Sequence, residues 1–189
     1  MVAINSFMVP VGTPAPEFSL PSVNGAKISS ADFADAPALL VIFLSNHCPY
    51  VRRVEAGIGS VTAAYADRGL ATVGICSNDV VNYPDDDVAH LTEQAARAGF
   101  TFLYLIDETQ DVARAYRAAC TPDFFLYDAG RRLAYRGEFD GARPSNDAPA
   151  DGASLRIALD RVLAGEPVPE PHAPSLGCNI KWKPGNEPG

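Results

Sequence analysis

A chain of 189 residues, 47% hydrophobic and 20% charged, has the balance of an ordinary globular protein, with enough length for one sizeable core and little to spare for a second. Its net charge of -8 speaks against binding nucleic acid or anionic membranes, which requires basic patches that displace counterions. No apolar run approaches the roughly 20 residues of a membrane span. The opening MVAINSFMVPVG has no basic segment followed by a sustained apolar one, so no secretory leader is expected and the expected location is cytoplasmic.

Residues 14–30, PAPEFSLPSVNGAKISS, predict two short extended pieces around Asn24-Gly25, because Asn-Gly accepts the positive φ of a tight hairpin turn. The continuous aliphatic run ALLVIFL at 38–44 predicts a strand buried on both faces, central in a parallel sheet. From Pro49 the pattern turns helical, with Val51, Val54, Ile58, Val61 and Tyr65 at spacings of three and four and Gly69 closing the helix. Gly57 and Gly59 interrupt it and suggest a kink. A second buried strand follows in LATVGICS at 70–77. The polar NDVVNYPDDD then leads to an amphipathic helix from about 88 to 98, with Asp85, Asp86 and Asp87 as its capping cluster.

FTFLYLID predicts a strand, TQDVARAYRA a short helix, and PDFFLYD with RLAYRG a hairpin around Asp128-Ala129-Gly130. Arg131, Arg132, Arg136 and Arg143 read as a solvated hairpin face. The helix GASLRIALDRVLAG ends at Gly165, and the proline-rich EPVPEPHAP beyond it is expected to be extended. Residues 1–165 thus form the predicted domain, with 166–189 a tail packing on it. Alternating strands and helices imply right-handed crossovers and a parallel sheet, to which the hairpin adds antiparallel strands.

Cys48, Cys76, Cys120 and Cys178 are 28, 44 and 58 residues apart, without the close pairs that build zinc sites. His47, His90 and His172 are equally scattered, and no metal site is expected. In a reducing cytoplasm this pattern suggests thiols in preference to structural disulfides. Cys76, within a strand, reads as core. Cys48 stands apart: in FLSNHCPYVRR it ends a buried strand and takes the N-cap of a helix whose first residue is Pro49. Proline is tolerated there because its missing N–H has no partner within the helix. Unsatisfied N–H groups and the positive end of the helix dipole favour a thiolate at such a place, and Arg52, four residues on, would add positive charge. Two readings stand, a reactive thiol with lowered pKa or a small buried hydrophobe. The strand-to-helix junction, where open α/β sheets place their ligands, favours the first. His47 offers either a general base beside the thiol or a packing side chain.

The segments PAPEFSL, FLSNHCPYVRR, LIDETQDVARAYRAACTPDFFLYD, YRG and SLGCNIKWKPG together resemble the thioredoxin-fold superfamily. The likeness is to the peroxiredoxin-like branch grouped with alkyl hydroperoxide reductase and thiol-specific antioxidants. It implies a thioredoxin-like α/β fold: a central mixed β-sheet flanked by helices, an N-terminal β-hairpin and an extended C-terminal tail. It further implies a thiol-dependent oxidoreductase with Cys48 as nucleophile. The second cysteine of a thioredoxin site is replaced by Val51, so exchange through a local pair is excluded. Thr121-Pro122 resembles the pair whose proline is cis and faces the active-site sulfur. Ser45 stands where peroxiredoxins carry threonine, Val41 where they carry proline, and Pro122 where they carry the peroxide-activating arginine, leaving Arg52 or Arg53 as substitutes. Ser45, Asn46, His47 and Arg52 are accordingly supporting residues.

A sulfenic acid on Cys48 would need a second thiol. Cys120, two residues before Pro122, is one candidate, or else a packed bystander. Cys178 is the other, on a tail whose 13 residues from Gly165 reach up to roughly 43 Å, or else part of a tail anchored by Ile180 and Trp182. The resemblance implies peroxide reduction first. Thiol-disulfide exchange on protein disulfides is the alternative, and a non-catalytic module binding partners beside Pro122 is an alternative of another class. No cofactor is implied, electrons coming from an external thiol such as thioredoxin, and the sequence does not set the oligomeric state.

Overall fold

The computed structural model describes residues 3–188. Strand β1 (Ala3–Asn5) opens the chain, and β2 (Ser19–Pro21) and β3 (Lys27–Ser29) form the expected hairpin, its turn carried by Gly25 at φ +86°. Strand β4 (Ala38–Phe43) is buried at every residue and runs into helix α1 (Pro49–Ala66). Strand β5 (Leu70–Cys76), helix α2 (Val88–Ala98), strand β6 (Leu103–Ile106) and helix α3 (Asp111–Tyr116) continue the alternation. The short β7 (Cys120–Thr121) precedes the hairpin of β8 (Asp123–Tyr127) and β9 (Leu133–Gly137), and then come α4 (Ala153–Leu163) and β10 (Leu176–Asn179).

The main sheet has the order β6-β5-β4-β8-β9, with β4, β5 and β6 parallel and β8 and β9 antiparallel. The aliphatic run that predicts a central strand is therefore the middle of the sheet. Its alternation divides the core in two. Leu40, Ile42 and Leu44 pack with Val51, Val54, Ile58 and Leu159, whereas Leu39, Val41 and Phe43 pack with Val112, Tyr116 and Phe125. Each fully buried Leu, Ile or Phe contributes about 1.5–3 kcal/mol, so both layers hold β4, and the residues at its carboxyl end inherit a fixed position.

Gly57 and Gly59 do not kink α1, which is continuous from Pro49 to Ala66. They allow close packing: a Cβ on Gly59 would lie 2.2 Å from the Ala98 carbonyl oxygen, and one on Gly57 2.3 Å from that of Ala150. Gly59→Ala is expected to lower stability by about 1–3 kcal/mol, the usual range for overpacking, read as a lower urea midpoint at unchanged slope. Two of the hairpin arginines also depart from expectation, while Arg132 is exposed as expected. Arg136 is buried because its guanidinium meets Glu170 at 2.6 Å and His172 Nδ1 at 2.9 Å, both on the chain that follows α4. Arg131 donates to the Phe33 and Ala36 carbonyls instead of facing solvent.

Beyond α4 the extended segment crosses the domain and enters a second sheet of order β1-β10-β7. Cys178 on β10 lies opposite Ala3 on one side and Thr121 on the other. A strand from the chain's end thus lies against the segment leading to Pro122.

Candidate active site

Cys48 occupies the N-cap of α1 with extended dihedrals (φ -74°, ψ 120°), and Pro49 is the first helical residue. The side chain is fully buried. Its sulfur lies 2.9 Å from the sulfur of Cys178 and 3.1 Å from the Thr121 carbonyl oxygen. The Thr121-Pro122 peptide is cis. β4, the start of α1, β7 and β10 therefore converge on one pair of thiols that are 130 residues apart in the chain.

Burial alone would push the Cys48 thiol up. Hydrogen bonds from the side chains of Cys178 and Thr121 and from the backbone N–H groups of Val51 and Cys178 outweigh it and bring the pKa down to about 6. Cys178 moves the opposite way: its hydrogen bond to Cys48, burial and the nearby Cys48 charge hold its proton on, while the positive charge of Lys181 works against them. The two shifts run in opposite directions, Cys48 toward the thiolate and Cys178 toward the thiol. A lowered thiol pKa raises the share of the reactive thiolate form, and a raised one lowers it.

Cys120 is not brought into the same contact. Its sulfur turns to the Pro122 carbonyl at 3.6 Å, and burial, then the charges of Asp123 and Cys48, push its pKa well up. Cys76 is buried in β5, and burial raises its pKa too. Arg52, expected beside the sulfur, instead donates from Nε to the Asn46 carbonyl at 2.7 Å, and Arg53 donates to the Ala148 carbonyl. Neither contributes to the low pKa of Cys48.

Ser45, Asn46 and His47 converge on a residue that the sequence reading placed only in a capping cluster. Asp86 is 1% exposed and accepts from Ser45 Oγ at 3.1 Å, Asn46 N at 2.7 Å, His47 N at 3.2 Å and His47 Nδ1 at 2.7 Å. Burial raises its pKa, but these donors more than offset that and hold the carboxyl below its usual value. The Ser45 hydroxyl is therefore committed to Asp86. His47 braces the loop, with its ring stacked on Tyr83 at 5.5 Å. Of the three aspartates, Asp87 does cap α2, accepting from His90 N at 3.0 Å.

A family model for AhpC/TSA matches residues 11–136. The chain belongs to the AhpC/TSA family. That places this family member among the thiol oxidoreductases of the thioredoxin fold. Solved structures agree on the architecture. A hypothetical protein from Sinorhizobium meliloti is 46% identical, the match covering 96% of this chain and 99% of that one at a TM-score of 0.93. An uncharacterized conserved protein from Geobacillus kaustophilus is 44% identical over 97% of this chain and 98% of that one, at 0.94. A putative thiol:disulfide interchange protein DsbE from Chlorobium tepidum shares the fold at 19% identity, with 82% and 99% coverage and a TM-score of 0.65. No curated protein sequence matches. The AhpC/TSA match ends at Arg136, so β10 and Cys178 lie outside the matched residues.

Proposed function

We propose that this protein reduces peroxides, with Cys48 as nucleophile and Cys178 as resolving thiol. The observation that carries the reading is the 2.9 Å approach of the two sulfurs, with the thiolate on Cys48. In the first step the Cys48 sulfur attacks one peroxide oxygen. An S–O bond forms, the O–O bond breaks, and the leaving oxygen takes a proton to become an alcohol or water, leaving Cys48 as a sulfenic acid. The Cys178 sulfur then attacks the Cys48 sulfur; an S–S bond forms, the S–O bond breaks, and water departs with the Cys178 proton. An external dithiol such as thioredoxin supplies two electrons and two protons to restore both thiols, in keeping with a reducing, cytoplasmic setting.

Burial of both sulfurs favours a small electrophile over a protein disulfide. A small cavity with Tyr50, Pro122, Glu138, Asp140, Arg143 and Leu176 in its lining lies beside residues that flank the pair, with neither sulfur in its wall. A second reading, exchange with disulfide substrates, is favoured by Pro122 at the position of the activating arginine and by the engagement of Arg52 and Arg53 with carbonyls. A developing peroxide oxyanion would then lack the guanidinium donor that such a site ordinarily supplies.

Peptide mapping after one equivalent of hydrogen peroxide tests the assignment. A Cys48–Cys178 disulfide is expected, with Cys120 and Cys76 still alkylatable after unfolding. Only sulfenic or sulfinic Cys48, or a bond to Cys120, would overturn it. Comparing rates toward hydrogen peroxide and a model disulfide separates the two electrophiles. Cys48→Ser is expected to abolish turnover; a parent protein without activity toward either electrophile, whose partner binding survives Cys48→Ser, would leave only the binding-module reading.

A further inference from the structure

The two thiols approach from segments that share no backbone ladder with each other, since the Cys48 loop leaves β4 and Cys178 arrives on β10. One buried side chain connects their supports. Asn78, 6% exposed, donates from Nδ2 to Asp86 at 2.6 Å and accepts at Oδ1 from the Lys181 backbone N–H at 2.8 Å. Asp86 holds Ser45, Asn46 and His47, the three residues immediately before Cys48. Lys181 lies three residues after Cys178. Its carbonyl accepts from the Asp79 N–H at 2.8 Å and from Gln110 Nε2 at 2.9 Å. Both sides of the thiol pair are thus referred to one asparagine and one carboxylate.

We propose that Asn78 and Asp86 are positioning residues for the resolving step: their contact sets the Cys48 loop and the Cys178 strand at the separation that disulfide formation requires. This rests on the assignment of Cys178 as resolving thiol. The argument is one of geometry and burial. Asp86 carries a charge in the interior, which is tolerable only when its oxygens are filled by donors. Four of its five donor groups belong to the residues before Cys48, and the fifth is Asn78. That set leaves the carboxylate few alternative orientations. The Asn78 amide has its donor and acceptor assigned by the two partners it joins, since a carboxylate can only accept and a backbone N–H can only donate. Sulfur-to-sulfur attack depends steeply on approach, and a displacement of about 1 Å can cost about 100-fold. A supporting shell of this kind is where such precision is set.

The test separates the two chemical steps by rapid quenching, alkylation and mass spectrometry after hydrogen peroxide addition. Asn78→Ala, Asn78→Asp and Asp86→Asn are each expected to slow conversion of sulfenic Cys48 to the disulfide by about 10-fold or more, with sulfinic Cys48 accumulating. The Asn78→Asp/Asp86→Asn double variant reverses donor and acceptor across the 2.6 Å contact while keeping one negative charge and the acceptor for Lys181. It is expected to recover to within about threefold of the parent, as coupled neighbours do and independent sites do not. Circular dichroism checks that each variant is folded, and a single variant that unfolds leaves the double variant and Asn78→Ala to decide. Parent-like resolution in the single variants, or a double variant as slow as the slower single, overturns the proposal. A parent chain that forms no Cys48–Cys178 disulfide overturns the functional assignment itself, and this inference with it.

Discussion

Replacing Cys178 with alanine is expected to take Cys48 from about nine-tenths thiolate at pH 7 to about 1%, if its pKa returns from about 6 to the ordinary value of 9.0. The side chain stays buried in the variant, and burial is the largest influence on its pKa and acts upward. What remains to lower it is the hydrogen bond from the Thr121 side chain and those from the backbone N–H groups of residues 51 and 178. Thiolate absorbance against pH checks this more cleanly than alkylation rate at one pH, because a less stabilised thiolate is intrinsically a better nucleophile and part of the rate loss is recovered. Cys178→Ser keeps a donor and should titrate between parent and alanine variant. A midpoint still near 6 in Cys178→Ala would mean that the helix N-terminus and Thr121 suffice, and the S–H donor would lose its place in the account.

The same pair has a pH signature in stability. Cys48 has a folded pKa of about 6 against an ordinary 9.0, so its contribution is complete above pH 9 and is lost as pH falls through 6. Cys178 is raised, so its contribution is complete below pH 9 and declines above it. The stability gap between parent and Cys178→Ala should therefore be widest near pH 9 and narrow toward pH 6. Urea denaturation at stepped pH under reducing conditions measures it.

The parts of this molecule legible in the sequence are those governed by neighbours in the chain. An unbroken aliphatic run marks β4, and Pro49 after Cys48 marks the helix start, so the position of Cys48 follows from local rules. The i,i+4 argument for Arg52 fails for a local reason as well. Cys48 is an N-cap with extended dihedrals, so its side chain lies off the helical cylinder on which that spacing holds, and the guanidinium finds the loop carbonyl of Asn46 instead. Gly57 and Gly59 look like helix weaknesses until α2 and the Ala150 segment are packed against them.

What the sequence hides is non-local. The residues LGCN of β10 show no alternation, follow a proline-rich stretch, and find their partners at 3–5 and 120–121. No sequence window contains that sheet, and the choice between Cys120 and Cys178 depended on it. Asp86 is hidden in another way, since three consecutive aspartates read alike on paper. The turn begun by Pro84 faces the middle one inward. The available signal was the run Ser45-Asn46-His47, donors without an obvious acceptor at the end of a buried strand.

The second large effect is expected from a single methyl group. Gly177→Ala should slow Cys48–Cys178 disulfide formation by about 100-fold, because sulfur-to-sulfur attack loses about that much when its geometry slips by about 1 Å. Gly177 has no special backbone conformation, as its φ is not in the positive range. The obstacle is space: a Cβ there would lie 2.1 Å from the Thr121 carbonyl oxygen, 2.6 Å from its carbonyl carbon and 3.2 Å from the Pro122 nitrogen. All three are backbone atoms, so no rotamer change relieves the overlap. Either β10 or the Thr121-Pro122 segment must move, and both carry groups that touch the Cys48 sulfur. The variant should therefore lose the low thiol pKa together with the disulfide. Gly141→Ala is the control, since a Cβ there meets nothing within 4 Å. A Gly177→Ala variant that forms the disulfide at the parental rate would show that β10 can yield without disturbing the thiols. The close approach of Gly177 to Thr121 would then be packing alone, and the placement of Cys178 would rest on the Asn78 and Asp86 contacts.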